Sequence, residues 1–315
     1  MLTNFFTVGQ QVWTLFLMMS TGFILRKMKK ISGVTLTQLI YILLRVIVPC
    51  IIITSLQLER DFAVMKEMGV TALAVLAYFA IGIATSNLLF RKQPSDQRAV
   101  LRFGAVYPNN GFMGIPLVLA CLGDGAMLYA AIFLVVVSIM QWTHGIIAIN
   151  AGKPDAGERS VKKAIKNALL NPGTVGFYIG FVFFATNLKM PAPVMNTLDL
   201  LGDVYSPLAM IIIGAQIADA DILSLFRQKQ LYITAAFKQI FLPVMTGLVL
   251  YPFHLPPLMF AACVILAGTP VAAVTAMFAH EYGRDEFTAA RLVSLSTLLS
   301  LLTLPVVAAI AKGMG

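Results

Sequence analysis

Charge is what this sequence has least of: Asp, Glu, Lys and Arg make up 12% of its 315 residues, about half the share of a soluble globular chain. Such a chain cannot cover itself with a wetted surface, which excludes the pair of soluble domains that its length alone would allow. Cysteine is scarce as well. Cys50, Cys121 and Cys263 fall inside apolar segments with neither paired nor metal-ligand spacing, so no disulfide framework follows and small packing residues do. The three histidines, His144, His254 and His280, share no motif with carboxylates, and neither a metal nor a cofactor is expected from them. Basic residues outnumber acidic ones by nine, but they lie in short clusters between apolar runs rather than on one basic and aromatic face, which argues against nucleic acid as a partner. There is no catalytic constellation to suggest an enzyme and no attached soluble domain to suggest a sensor.

What the chain has in abundance is apolar length: 59% hydrophobic residues and a mean hydropathy of +0.85. A membrane span needs about 20 apolar residues, and ten such stretches are predicted, over 5–26, 34–58, 68–90, 98–121, 125–150, 167–188, 195–218, 231–253, 257–280 and 287–311. The first is read as a span rather than a cleaved leader, because Arg26, Lys27, Lys29 and Lys30 follow its apolar run Phe5 to Leu25 instead of preceding it.

Lys and Arg are retained on the cytoplasmic side of a membrane. Of the 23, seventeen fall in alternate loops and four, Arg60, Lys66, Lys189 and Lys312, fall in the others, with Arg45 and Lys238 inside predicted spans. Ten spans keep that bias at every loop, and they put both termini on the outer face of the cell membrane. The longest polar connection, residues 151–166, is then cytoplasmic and separates residues 1–150 from 167–315, five spans on each side. Because five is odd, two homologous halves must insert with opposite orientation, the inverted-repeat plan of many secondary transporters. The expected fold class is therefore an all-α membrane protein of ten helices in two inverted five-helix repeats.

Proline positions support a repeat. Span two carries Pro49 four residues after Arg45, and span seven carries Pro207 four residues after Asp203; Pro116 of span four and Pro270 of span nine stand at a similar separation. The densest irregularity is YPNNGFMGIP, Tyr107 to Pro116, where Pro108, Pro116, two glycines and two asparagines share one span. Proline removes a helical N–H and restrains its predecessor, and glycine weakens helical order. Such a break is tolerated at membrane depth only where it is buried in protein or lines a wet cavity. LAGTPVAA, with Gly268, Thr269 and Pro270, is the matching break in the second half.

Broken helices expose N–H groups and positive dipole ends that favour an anion. The expected substrate site is Asn109, Asn110, Gly111 and Thr269, with Arg45 attracting the charge. Asp203 is expected either as a fixed ion-pair partner of Arg45 or as a group that competes for it during coupling, and His144 and Gln141 as further cavity-lining or coupling groups. A small carboxylate and the bilayer are the expected partners. Proton or sodium coupling and a homodimer are left open.

YPNNGFMGIPLVLACLGDGA resembles the auxin efflux carrier family, whose bacterial members include malate and malonate permeases. NPGTVGFYIG, GDVYSPLAMIIIGAQIA and AGTPVAAVTAMFAHEYG extend the resemblance over essentially the whole chain. It implies that spans four and nine cross at Pro116 and Pro270, that spans three to five and eight to ten form a transport core against a scaffold of spans one, two, six and seven, and that an organic anion is moved by an elevator-like motion. Arg45 matches a lysine of plant members. The long central hydrophilic loop of those members is missing, which argues against auxin itself and against regulation through such a loop, while an auxin-like weak acid stays beside malate and malonate among the expected substrates. The competing reading, a cation or proton antiporter on a crossed-helix fold, requires acids beside the breaks, and the nearest are Asp124 and Glu281 at span ends.

Overall fold

The computed structural model describes residues 2–151, 166, 169–219 and 228–314, so most of the connecting loop expected at 151–166 and the first residues of span six lie outside the described residues. Among the described residues the protein is helical with no strand. The helices are α1 (Leu2–Lys27), α2 (Gly33–Ser55), α3 (Phe62–Leu89), α4 (Ser95–Val106), α5 (Asn110–Leu122), α6 (Asp124–Asn150), α7 (Pro172–Thr186), α8 (Ala192–Ala218), α9 (Lys229–Phe253), α10 (Pro257–Ala267), α11 (Val274–Glu281) and α12 (Glu286–Met314). Six of them, α2, α3, α6, α8, α9 and α12, are long and apolar enough to cross a membrane. Each predicted span coincides with one helix to within a few residues, except spans four and nine, which are occupied by the pairs α4/α5 and α10/α11.

Local chemistry explains several boundaries. Ser32, Asp61 and Asn171 each accept a backbone N–H of the first turn that follows, capping α2, α3 and α7. Prolines inside helices are accommodated by widened turns. Just before Pro49, Pro116 and Pro243 the chain forms π-type turns, Leu43–Ile47, Asn110–Gly114 and Phe237–Phe241. In each, the residue preceding the proline donates its N–H five residues back, as from Val48 to the Leu43 carbonyl. The wider turn draws the carbonyl that the pyrrolidine ring would strike away from it. A fourth π-turn, Gln141–Gly145, lies in α6. Arg45, Asn110, His144 and Lys238 all sit in these turns.

Packing is closest where side chains are absent. α1 lies along α8, and a Cβ on Gly22 would overlap the Ile211 carbonyl while one on Gly214 would overlap the Met19 carbonyl. α7 packs on α2 in a similar way, with Gly176 against the backbone of Pro49 and Gly180 against Ile53 and Leu56. These are small-residue contacts of the kind that hold helices together in lipid, where no hydrophobic drive separates helix from solvent. Large apolar residues such as Trp13, Leu73, Leu200, Phe287 and Leu302 are exposed around the outside, as contact with lipid tails requires. The ion pair Arg26–Asp219, with Nη2 2.8 Å from Oδ2, ties the end of α1 to the end of α8.

Arg284, between α11 and α12, has only 1% of its side chain exposed and pairs with Asp96 at 2.6 Å, while it also donates to the Ile149 carbonyl (2.7 Å) and the Ala151 carbonyl (2.8 Å). One guanidinium thus satisfies the orphan carbonyls at the end of α6 and binds the start of α4. Arg284→Met strands those carbonyls and should lower stability by about 2–4 kcal/mol. Arg284→Lys should recover only part of that, because an ammonium lacks the planar fork. Thermal unfolding in detergent reads both.

Candidate functional site

The two breaks meet. Pro108 obliges Tyr107 to leave the helix with φ −88° and ψ 116°, and the chain re-enters a helix at Asn110. In the second half α10 ends at Ala267 and α11 begins at Val274. Between them Pro108 and Val271 form an antiparallel bridge: the Asn109 N–H donates to the Pro270 carbonyl (2.8 Å) and the Ala272 N–H to the Tyr107 carbonyl (3.0 Å). The Val271 N–H is taken by Ser296 Oγ of α12 at 3.1 Å. Backbone groups freed by each break are therefore satisfied by the other break and by a neighbouring helix, so the irregular segments can remain buried.

This corrects the crossing expected at Pro116. The bridge forms at Pro108 instead, and Pro116 lies in the first turn of a regular helical stretch, where its missing N–H costs nothing and the preceding π-turn relieves its ring. Pro270 does stand at the crossing, and Gly268 packs beside Val307 and Pro243. Pro49 lies under Gly176, and Pro207 is exposed in α8.

Beside the crossing lies a cavity of about 530 Å³, within the usual range for small-ligand sites. It brings together Arg45 of α2, Pro108, Asn109, Asn110 and Gly111 of the first break, and Gln141 of α6, all of them expected site residues. Three others do not reach it. Thr269 is fully buried, with its hydroxyl 3.0 Å from Asn110 Oδ1 and 2.8 Å from the Leu266 carbonyl; it orients the asparagine from behind. His144 is held 2.8 Å from the Tyr107 hydroxyl, which also donates to the Met140 carbonyl at 3.0 Å. Asp203 is exposed at the end of the first segment of α8, and no ion pair joins it to Arg45 among the described residues. The pairing failed because equal spacing from a proline fixes a place along each helix and leaves open which neighbour that helix faces. Arg45 instead lies over the Tyr41 ring, 5.7 Å from its centroid, and opens onto the cavity.

The lining also holds residues that the sequence reading passed over: Ser138, Trp142, Asn171 and Gln216. Asn171 had a legible signal, since Asn-Pro-Gly opens a helix with a capping side chain and a proline at the first position. The others belong to apolar stretches and carry no local mark.

Electrostatically the cavity is one-sided. The N-termini of α5, α7 and α11 reach it through Asn110, Pro172 and Val274, and each is equivalent to roughly half a positive charge. Among the described residues Arg45 is the one charged side chain in the lining, and no Asp or Glu is present there. Asn110 is 1% exposed, and its Nδ2 has no partner among the described residues, which leaves a buried donor unspent. The Tyr205 hydroxyl of α8 donates to the Gly111 carbonyl, steadying the turn that carries the asparagines.

Comparison with known proteins agrees with this picture. A family model described as "Membrane transport protein" matches residues 7–308. An "Uncharacterized transporter" of Methanothermobacter thermautotrophicus is 22% identical over 308 residues, covering 94% of this chain and 96% of the relative. A protein of Rhizobium meliloti named "Putative malonate transporter" is 24% identical over 254 residues, covering 78% and 76%. Apolar helices, a buried double break and a match along nearly the whole length lead to one conclusion: the chain is a multi-pass membrane transport protein of the auxin efflux carrier family.

Proposed function

We propose that the protein is a carrier, secondary active or facilitative, for a small organic acid anion, a mono- or dicarboxylate such as malonate or malate, which it binds beside the crossing and moves across the cell membrane by alternating access. The observation that carries this reading is the convergence of three helix N-termini and Arg45 on a cavity with no acidic residue among its described lining, and with the unpaired amide of Asn110 enclosed in its wall. A carboxylate there would meet directed donors and a positive field. The printed name of the Rhizobium relative points to the same substrate class.

In this reading the twelve helices of the described residues make ten spans, two of them broken, in inverted halves with both termini outside. Support comes from a near-constant spacing of 160 to 162 residues between positions that meet at the breaks or stand behind them: Val106 and Ala267, Pro108 and Pro270, and, on the neighbouring helices α3 and α9, Tyr78 and Lys238. The cavity draws Arg45, Asn171 and Gln216 from α2, α7 and α8, the helices of the small-residue contacts, and its remaining polar lining from the breaks and α6. A substrate held by both groups would move when the crossed core slides against the other four helices. The antiporter alternative has little to stand on, since proton and ion relays within membranes are built on buried acids, and Asp124 and Glu281 are exposed at helix ends.

A thermal-shift screen of purified protein over small mono- and dicarboxylates, followed by uptake into proteoliposomes, tests the assignment. The matching acid should raise the melting temperature, and Asn110→Ala should weaken its binding roughly five- to tenfold, the worth of one hydrogen bond. A protein that binds and moves no carboxylate under any ion gradient is not this carrier.

A further inference from the structure

Lys238 lies in the π-turn of α9 and is fully buried, yet it does not line the cavity. Its Nζ donates to the Ala267 carbonyl at 2.6 Å, the last residue of α10 before the break. The same Nζ stands over the ring of Tyr78, 5.4 Å from its centroid, and the Tyr78 hydroxyl donates at 2.5 Å to the Val106 carbonyl, the last residue of α4 before the other break. One ammonium and one phenol therefore serve the carbonyl ends of both half-helices. The ion pairs among the described residues are Arg26–Asp219, His280–Glu286 and Arg284–Asp96; none includes Lys238.

A buried ammonium without a carboxylate is costly, and such a group in a membrane protein normally has a task. Here the compensation is visible. Each helix C-terminus is equivalent to roughly half a negative charge, so the ends of α4 and α10 together offset about one positive charge, with the Tyr78 ring adding a cation–π contact. Paired carbonyl ends of broken helices are also the chemistry that coordinates alkali cations in transporters. Such a place, if vacant, would have to be filled by an ion from solution.

We propose that Lys238 is a resident counter-cation: its ammonium holds the carbonyl end of α10 directly and stands over the Tyr78 ring, whose hydroxyl holds the end of α4, in place of a bound metal ion, and the transport cycle therefore runs without sodium. Lys238 is a positioning residue, acting on substrate only through the geometry of the crossing. The inference builds on the carrier reading above, and a stability arm keeps the two separable.

The experiment uses the full chain in proteoliposomes, with radiolabelled malonate as the probe, and in parallel follows thermal unfolding of the purified protein in sodium, potassium and choline chloride. Wild-type uptake and melting temperature should agree among the three salts. Lys238→Met, which keeps apolar volume and removes charge, should cut uptake by about tenfold or more, and Lys238→Arg should retain a measurable part of it. Lys238→Ala should acquire what the wild type lacks, a rise in melting temperature with added sodium or methylammonium. Uptake that saturates with sodium in the wild type, Lys238→Met moving malonate at the wild-type rate, or no cation response in folded Lys238→Ala would each overturn the proposal. If malonate is not moved at all, the carrier reading fails on that probe while the melting curves still decide the role of Lys238. If the Lys238 variants do not fold, the salt dependence of the wild type decides it.

Discussion

Binding of the carboxylate that stabilises the wild type should fall by about one to two orders of magnitude in Arg45→Ala, the loss of one charge-assisted contact. The fold should survive, because Arg45 is exposed to the cavity and carries no ion pair among the described residues; its contact is with the Tyr41 ring. Arg45→Lys should keep much of the affinity, since a positive charge at the mouth of a positive cavity matters more than the shape of its donor. Isothermal titration of the three proteins makes the comparison. Unchanged affinity in Arg45→Ala would mean that the helix N-termini and Asn110 suffice, and would move the centre of the site toward the crossing.

A larger effect, on folding rather than binding, is expected at Gly214. Any side chain there must occupy space already held by the Met19 carbonyl, and backbone cannot swing aside as a flexible side chain can. Gly214→Leu would force α1 away from α8 and is expected to cost about 3 kcal/mol or more, beyond ordinary overpacking because the obstacle is main chain. Gly22→Leu should behave alike from the opposite helix, where the Ile211 carbonyl is the obstacle. Gly69→Ala in α3 is the control: a Cβ there meets nothing within 4 Å, and the change should be neutral or slightly stabilising. Thermal unfolding of the four proteins in one detergent provides the test, and equal melting temperatures would mean that the α1–α8 contact is looser than described.

Legibility in the sequence followed the range of the physics involved. Helix positions were readable because apolar length and capping residues act within a few residues of themselves: Asp61 before α3 and Asn171 before α7 mark starts that need no partner. The breaks were readable for the same reason, as Pro108 and Pro270 act on their own backbone. Arg45 was found because an ionisable group inside an apolar run is conspicuous. Lys238 carried the same signal and was only counted among the charges, so its role is one the sequence allowed and the reading passed over.

What failed depended on facing. Arg45 and Asp203 share a spacing from proline but not a contact, Thr269 lies behind Asn110 instead of beside the cavity, and His144 is turned to Tyr107. Pro116 is the most instructive case. By sequence it is as strong a helix breaker as Pro108, yet the π-turn of Asn110–Gly114 lets a helix continue through it, whereas Pro108 stands where the second break supplies hydrogen-bond partners for an open chain.

The sequence by itself determined that the chain lives in a membrane, where its helices lie and where two of them cannot be regular, because each of these follows from the chemistry of a short stretch of chain. Only the tertiary structure decided which proline opens the helix, which donors face a common cavity and that a lysine rather than an acid stands behind the crossing. Those choices depend on which helix lies against which, and a single strand of residues carries no record of its neighbours.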